Sequence, residues 1–188
     1  MSSASFSTTL PLPKPGVYEI DPVHSEVGFV VRHLMVSRVR GRFHDVKGTL
    51  NIAEPPEASS AEIDIATASV DTGTTDRDNH LRSSDFFDVE SYPALTFRST
   101  GLRYVGGDNF SLDGELTIHG VTKTLSLDAE YLGTSGDPWG GTRIGFSAST
   151  EIDREQFGLT WNAAIETGGV VVGKTAKVEI EVEAIYKG

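Results

Sequence analysis

The chain has 188 residues, a hydrophobic fraction of 38% and a formal net charge of −11 at pH 7. The length and composition suit one domain with a substantial core, while the acidity excludes a nucleic-acid backbone as the main partner and disfavours adsorption to anionic lipid surfaces. Because the chain has no cysteine, disulfides, thiol catalysis and zinc–thiolate sites are excluded.

The first 14 residues are rich in Ser, Thr and Pro, a composition typical of a flexible N-terminal tail. We therefore expect a single domain over residues 15–188. The N-terminus has neither the basic region nor the long apolar region of a secretory leader, and no run approaches the 18 apolar residues of a membrane span. These features predict a soluble, cytoplasmic protein without an integral membrane segment.

Most of the chain alternates apolar and polar residues with a period of two, which is typical of β-strands with one buried face. Residues 39–52 fit either one bent strand or two, and residues 154–157 are predicted to form a single helical turn. The apolar phase of the strands contains Val27, Phe29, Val31, Phe43, Ile63, Ile65, Leu95, Phe97, Phe110, Leu112, Leu116, Ile118, Leu125, Leu127, Ile144, Phe146, Val178, Ile180 and Val182.

One segment interrupts this alternation. A polar helix start at Thr74 or Thr75, followed later by Pro93, which prevents helix continuation, predicts a short helical insertion near residues 75–92. We expect this insertion to cover the sheet with its apolar side chains, while charged residues such as Arg77 and Asp78 largely face water.

About eight antiparallel strands joined mostly by short turns fit either a closed barrel or a two-sheet sandwich. At eight strands, the interior of a barrel holds packed side chains or one slender ligand. Ala61, Gly114, Ala129 and Ala148 lie on the apolar faces and suggest a cavity, although small residues also fit the taper of a packed barrel.

The sequence contains no motif that builds an active site. The five histidines lack a compact metal-binding spacing, and His24 near Asp21, His33 at the end of an apolar run and His119 in a hairpin turn all suit structural roles. There is no Gly-x-Ser-x-Gly nucleophile and no phosphate-binding loop. We therefore expect no catalysis, no metal and no cofactor.

A series of motifs follows in order over residues 16–186. Its members are Tyr18, Glu19, Ile20, Asp21, His24, Ser25, Val27, Phe29, Arg32, His33, Gly41, Phe43, Gly48, Ser69, Asp71, Asp76, Asp78, His80, Leu81, Asp85, Phe86, Phe87, Tyr92, Pro93, Phe97, Gly114, Leu116, His119, Gly120, Thr122, Lys123, Asp153, Arg154, Phe157, Gly158, Trp161 and Asn162. In this order the motifs resemble the YceI-like, polyisoprenoid-binding family.

The resemblance implies an all-β fold, a single extended antiparallel β-barrel that is lipocalin-like and carries a helical element. It also implies an apolar tunnel for a long isoprenoid chain, and often a homodimer. Many members of the family carry a secretory leader, a feature that we do not expect in this chain.

The leading hypothesis is non-enzymatic binding of a polyisoprenoid or similar long amphipathic lipid inside the barrel, for transport, storage or sequestration. The apolar phase predicts the ligand-binding residues Val27, Phe29, Val31, Phe43, Ile63, Ile65, Leu95, Phe97, Leu116, Ile118, Leu125, Leu127 and Phe146, with Phe157 and Trp161 closing one end. Two alternatives stay open. One is an enzyme that uses His24 or His33 as a base on a small apolar substrate, and the other is a packed stress-response protein without a ligand.

Overall fold

The structure is a computed structural model that describes residues 7–166 and 168–188. These residues form eleven strands and one α-helix. The strands are β1 (Gly16–Ile20), β2 (Glu26–His33), β3 (Ser37–Phe43), β4 (Val46–Ile52), β5 (Ser60–Ala66), β6 (Val70–Asp71), β7 (Ala94–Gly106), β8 (Asn109–Ile118), β9 (Val121–Gly136), β10 (Thr142–Asp153) and β11 (Val172–Tyr186), and the helix is α1 (Thr75–Arg82). Short 3₁₀ turns occupy Pro56–Ala58, Thr67–Ser69 and Arg154–Phe157, the last of which is the helical turn predicted there.

Eight of the strands close into an antiparallel barrel in the order β1-β4-β5-β7-β8-β9-β10-β11. The barrel closes between β1 and β11, where Tyr18 lies opposite Tyr186 and Ile20 lies opposite Ala184. The barrel of about eight strands expected from the sequence is thus confirmed, and the sandwich alternative is wrong. Closure leaves these eight strands without a free edge along this seam.

A three-stranded extension leaves the barrel beside β11. This strand has 15 residues, and its C-terminal end pairs with β1 while residues 176–181 pair with β2. The sheet then continues from β2 to β3 and β6. Residues 39–52 therefore belong to two strands with different positions, since β3 lies in the extension and β4 lies in the barrel.

The helical insertion is shorter than residues 75–92, because α1 ends at Arg82 and turns follow it up to β7. The end is fixed by Ser83, whose amide and hydroxyl both donate to the His80 carbonyl at 3.1 and 2.6 Å. Leu81 and Phe87 pack against the core, as expected for a cover over the sheet. No helix in the described residues has the length and hydrophobicity that crossing a membrane requires.

Asp78 lies inside this cover, with 7% of its surface exposed, so the expectation that it faces water is wrong. Its Oδ1 accepts hydrogen bonds from the Thr72 amide at 2.8 Å and the Thr72 hydroxyl at 2.6 Å. These donors satisfy the buried carboxylate and tie the start of α1 to the end of β6. They come from a loop whose conformation the alternation pattern does not reveal.

Candidate functional site

An apolar cavity of about 390 Å³ occupies one half of the barrel. Strands β4, β5, β7, β8, β9, β10 and β11 contribute to its wall, so the cavity lies inside the closed sheet. Its lining includes Leu50, Ile52, Ala61, Ile63, Leu102, Phe110, Leu112, Leu127, Ala129, Tyr131, Phe146, Ala148, Ile180 and Val182.

The space arises where two alanines meet on neighbouring strands. Strand pairing places Phe110 opposite Ala129, Ala129 opposite Ala148, and Ala148 opposite Ile180. Two methyl groups thus stand between larger side chains in one row across four strands. Because protein interiors are otherwise close-packed, this row together with Ala61 accounts for a cavity in this half of the barrel.

Gly114, which also suggested open space, does not contribute to the cavity. A Cβ on Gly114 would lie 2.6 Å from Phe97 Cε2 and 2.7 Å from the Arg98 carbonyl oxygen. The Phe97 ring therefore fills the place that the missing side chain leaves.

The N-terminal segment lies across the mouth of the cavity. Leu12, Pro13 and Pro15 belong to the lining, and the amides of Thr9 and Leu10 donate to Asp108 Oδ1 at 2.8 and 3.0 Å. Residues 9 and 10 therefore already contact the barrel, before the predicted end of the flexible tail at residue 14. The first six residues of that tail lie outside the described residues, and its flexibility stays a prediction.

Polar groups are few in the cavity wall. Glu54 carries the one carboxyl group among the described residues of the lining, to which Ser59, Ser60 and Ser147 also belong. The hydroxyl of Tyr131 is already bonded to Thr134 Oγ1 at 2.5 Å. Burial raises the pKa of Tyr131, and the hydrogen bond with Thr134 lowers it by less, so this phenol is neutral at physiological pH. The wall therefore offers mainly apolar contact.

The structure brings three of the fifteen predicted ligand-binding residues to the cavity: Ile63, Leu127 and Phe146. The other twelve lie outside its lining, and they are Val27, Phe29, Val31, Phe43, Ile65, Leu95, Phe97, Leu116, Ile118, Leu125, Phe157 and Trp161. Most of these pack in the opposite half of the barrel or in the extension, and whether they contact a ligand stays a prediction.

Aromatic contacts join the extension and the loop before β11 to the helical cover. The rings of Phe29 and Phe43 have centroids 5.7 Å apart, and those of Phe43 and Phe87 are 5.6 Å apart. Nearby, Trp161 meets His80 at 4.7 Å and Phe86 at 5.4 Å. These geometries are the edge-to-face and tilted arrangements that aromatic pairs prefer, so the rings stabilise one another.

The loop that carries Trp161 is held by the buried guanidinium of Arg154. This group donates to the carbonyls of Leu159 at 2.5 Å, Trp161 at 3.0 Å, Gly173 at 2.7 Å and Val172 at 3.3 Å. Burial lowers the pKa of Arg154, although the group keeps its charge at physiological pH. The contacts join the chain after β10 to the start of β11.

The predicted list of ligand-binding residues omits several wall residues, including Leu50, Leu102, Ala129, Ala148 and Ile180. The sequence indicated Ala129 and Ala148 only as small residues that suggest a cavity. Leu50, Ala129, Ala148 and Ile180 alternate in phase with residues on an apolar face, so the signal for an inward position was present. Leu102 is out of phase with Leu95 and Phe97, because the pairing of β7 with β8 is irregular between Ser99 and Gly101. Their position along each strand decides whether they meet the cavity, and that position depends on strand register.

A cluster of charged groups lies apart from the cavity, around Arg143. Its Nη1 donates to Asp21 and Glu183 at 2.6 Å each, and its Nε donates to Asp137 at 3.1 Å. Although burial raises the pKa of Asp21, the hydrogen bonds from His24 and Arg143 outweigh it and lower that pKa to about 2. One guanidinium thus contacts three carboxylates, so the network joins the barrel seam to β10 and keeps a net negative charge.

Asp21, His24 and Glu183 are the described residues whose ligand atoms lie close enough to hold a metal ion. The Arg143 guanidinium contacts both carboxylates, so a cation there would have to displace an existing positive charge. The donor set therefore does not fit a metal. His24 bonds to Asp21 at 2.8 Å, which is the turn pairing suggested by the sequence.

The other candidate histidines are also away from the cavity lining. His33 ends β2. His119 adopts a left-handed conformation with φ of 54° in the β8–β9 turn, and its ring packs on Tyr92 at 4.6 Å. None of the described histidines therefore belongs to the lining of the apolar cavity.

A closed eight-stranded antiparallel barrel with an apolar internal cavity and one short helix defines this chain as a lipocalin-like β-barrel protein. The chain belongs to the YceI-like family, since the family model described as the YceI-like domain matches residues 18–184. The family resemblance of the ordered motifs is thus confirmed.

Individual relatives agree with this assignment. Protein YceI of Escherichia coli is 42% identical over 145 residues, which cover 76% of this chain and 75% of that protein. The crystal structure of the YceI protein of Campylobacter jejuni superposes with a TM-score of 0.71 at 34% identity, covering 84% of this chain and 90% of the other.

A third comparison is with a polyisoprenoid binding domain from Saccharophagus degradans that is implicated in plant cell wall breakdown. It superposes with a TM-score of 0.69 at 20% identity, and the match covers 93% of this chain and 100% of that domain. At this identity the likeness shows the shared fold alone.

Proposed function

We propose that this protein binds a polyisoprenoid or a similar long amphipathic lipid inside its barrel and catalyses no reaction on it. The observation that carries the proposal is the apolar cavity of about 390 Å³ formed around Ala129 and Ala148. Membership of the YceI-like family and the binding described for the Saccharophagus degradans domain support the same ligand class.

The cavity volume suits part of such a ligand. An apolar cavity of about 150 Å³ accommodates one benzene molecule, so a cavity of about 390 Å³ has room for on the order of fifteen carbon atoms. Each methylene group removed from water contributes roughly 0.8 kcal/mol, which gives tight binding without a charged contact. A longer chain would extend past Leu12 at the mouth or displace the Phe97 ring from Gly114.

The scarcity of polar groups also restricts the polar end of the ligand. Glu54 is the one acidic group in the described wall, and no Lys or Arg accompanies it there. An anionic head group inside the cavity would be buried without a positive partner, which is unfavourable. The polar end is therefore uncharged or projects out of the mouth.

The test is extraction of the purified protein with organic solvent followed by mass spectrometry. We expect a long apolar lipid in a stoichiometric amount, and delipidated protein should bind added polyprenol. A protein that carries no lipid and binds no added polyprenol would support the packed, ligand-free alternative. Turnover of a small apolar substrate that is lost in a His24→Gln or His33→Gln variant would support the enzyme alternative.

The proposal also covers the cellular location, the oligomeric state and the physiological role of the protein. We place the protein in the cytoplasm and as a homodimer, both carried over from the sequence-based expectations, and we assign it a role in transport, storage or sequestration. Cell fractionation tests the location, and light scattering at several protein concentrations tests the dimer. Transfer of labelled lipid between two vesicle populations separates transport from storage and sequestration.

A further inference from the structure

The β2–β3 hairpin concentrates positive charge in an acidic protein. The sequence from residue 27 to residue 44 contains Arg32, Arg38, Arg40 and Arg42 and no Asp or Glu, while the whole chain has a net charge of −11. The hairpin is therefore the place where a negatively charged partner meets the least repulsion.

Strand register places all four arginines on one face of the hairpin. Arg32 lies directly opposite Arg38, Arg40 lies opposite Val30, and Arg42 lies opposite Gly28, and residues directly opposite share a face. Like charges in such positions destabilise a sheet. Repulsion among these arginines therefore destabilises the isolated protein, and an anionic partner would relieve this repulsion.

Three of these arginines are available to such a partner. Arg42 pairs with Glu26 at 3.4 Å, whereas Arg32, Arg38 and Arg40 are exposed and have no carboxylate within 4.0 Å among the described residues. Three acids on this face are paired, since Glu26 is held by Arg42, Glu179 by Lys177 at 3.1 Å and Asp71 by His44 at 2.9 Å. Glu181 shares the face at the far end of β2, opposite Glu26. Glu166 is the acidic residue in the loop beside the hairpin tip.

The tip of the hairpin is apolar and exposed. Leu34, Met35 and Val36 have exposed fractions of 39%, 52% and 84%. Leu34 and Met35 adopt left-handed conformations with φ of 51° and 63°, which glycine and asparagine occupy at lower cost. Large apolar side chains at such positions are retained despite a conformational cost, which suggests a functional role for their contacts.

The tip is supported by the loop before β11. The Leu34 amide donates to the Val171 carbonyl at 2.9 Å, and a Cβ on Gly169 would lie 3.1 Å from Met35 Cγ, so Met35 rests against this loop. Val170, in the same loop, is 37% exposed. The exposed apolar surface therefore continues from the hairpin to the loop on a supported backbone.

We propose that the β2–β3 hairpin docks on the surface of an anionic lipid bilayer, with Leu34, Met35 and Val36 entering the interface and Arg32, Arg38 and Arg40 contacting lipid phosphates. Apolar side chains next to a cationic face match the two layers of such a surface, the acyl boundary and the phosphates. This goes beyond the proposed function, because it assigns a surface by which the protein meets membranes rather than a ligand inside the barrel.

The net charge of the protein does not oppose this contact strongly. Electrostatic forces between exposed charges are screened over about 8–10 Å at physiological salt, so the acidic surface far from the hairpin acts weakly on a docked bilayer. The positive charge of the hairpin therefore outweighs the net negative charge of the whole protein, which by itself disfavours adsorption to an anionic surface. Because the contact is electrostatic in part, docking weakens as salt is added.

The hairpin tip and the cavity are separate places. The tip reaches β11 at Val172, which lies opposite His33, whereas Ile180 of the cavity wall lies eight residues further along the strand, roughly 26 Å away. Changes at the tip should consequently leave the cavity intact, and docking can be tested independently of lipid content.

The experiment uses vesicles of phosphatidylcholine with and without about 30% phosphatidylglycerol, and sedimentation measures the bound fraction. We expect the wild-type protein to bind the anionic vesicles only. The triple variant Arg32→Gln, Arg38→Gln, Arg40→Gln should bind on the order of a hundredfold more weakly, at about fivefold for each arginine. The variant Leu34→Ser, Met35→Ser, Val36→Ser should lose about tenfold.

The matched control is Trp139, which is also apolar and 83% exposed but lies in the β9–β10 loop beside Asp137, whose carboxylate accepts from its amide at 2.9 Å. Trp139→Ser should bind like the wild type. Equal binding to neutral and anionic vesicles, no binding by the wild type, or an equal loss in Trp139→Ser would overturn the proposal.

A second measurement shows insertion directly. Since the chain has no cysteine, Val36→Cys and Trp139→Cys each accept one environment-sensitive fluorophore. Anionic vesicles should raise and blue-shift the fluorescence at position 36 and leave position 139 unchanged, and the reverse would contradict the proposal. Lipid extracted from the hairpin variants should match the wild type, so failure of docking and failure of cavity binding are distinguishable.

Discussion

Ala129 on β9 and Ala148 on β10 lie directly opposite each other, and the space above their methyl groups is part of the barrel cavity. Larger residues, Phe110 and Ile180, stand at the two ends of this row. The capacity of the barrel for a ligand thus depends on two small side chains in register.

Ala148→Leu should reduce lipid binding without unfolding the protein. Leucine adds three carbon atoms and would take the space of about three methylene groups of the ligand at roughly 0.8 kcal/mol each, so we expect about a fiftyfold loss of affinity. Mass spectrometry of extracted lipid and titration of delipidated protein with polyprenol measure the effect. Ala163→Leu, at an exposed position, is the control, and unchanged lipid binding by folded Ala148→Leu would contradict the assignment of the site.

Gly114→Ala should destabilise the barrel. The new methyl group would meet Phe97 Cε2 at 2.6 Å and the Arg98 carbonyl oxygen at 2.7 Å, and overpacking of this kind costs about 1–3 kcal/mol. Urea unfolding gives the change in free energy. Gly101→Ala is the matched control, because its Cβ would have Asp113 Oδ2 at 3.9 Å as its nearest neighbour. Similar stability of the two variants would show that the Phe97 ring moves aside freely.

Asp21→Asn should lower stability at neutral pH, and the difference from wild type should shrink in acid. The hydrogen bonds from His24 and Arg143 lower the pKa of Asp21 from 3.8 to about 2, against the effect of burial. A carboxyl group whose pKa is lower in the folded state than in the unfolded state stabilises the protein at pH values above the unfolded-state pKa. This contribution is lost as the pH falls from about 4 to about 2. It amounts to at most about 2 kcal/mol.

Urea unfolding of both proteins at several pH values from neutral down to about 2 tests this expectation. Asp128→Asn is the control, since Asp128 is exposed and makes no ion pair within 4.0 Å among the described residues. A difference between wild type and Asp21→Asn that stays constant with pH would mean that Asp21 does not stabilise the fold through its charge.

Arg154→Met should loosen the loop between β10 and β11. Removal of the guanidinium leaves the carbonyls of Leu159, Trp161 and Gly173 without their donor, and each buried unsatisfied group costs about 1–3 kcal/mol. Arg154→Lys should rescue only part of the loss, because an ammonium group lacks the planar fork that reaches several acceptors.

Hydrogen exchange of residues 159–172 together with thermal unfolding measures this effect. Lys123→Met is a suitable control, since Lys123 is exposed on β9 and makes no ion pair within 4.0 Å among the described residues. Wild-type protection of the loop in Arg154→Met would show that its backbone is held by other contacts.

The sequence by itself determined which face of each strand is apolar, because a strand places successive side chains on opposite sides and this period of two is visible without a structure. The alternation at Phe110 and Leu127 therefore indicated inward positions correctly. Pro93 and the polar helix start near Thr74 also located the insertion, since both act through local backbone geometry. The ordered motifs indicated the family and, with it, the closed barrel.

Only the tertiary structure decided which part of each apolar face meets the cavity. Gly114 and Ala129 are both small residues on inward faces, yet the Phe97 ring fills the first space while strand register sets the second beside Ala148. The burial of Asp78 likewise depends on donors from Thr72. Register, ring packing and buried hydrogen bonds join residues that are distant along the chain or lie in irregular loops, so periodicity within one strand carries no information about them.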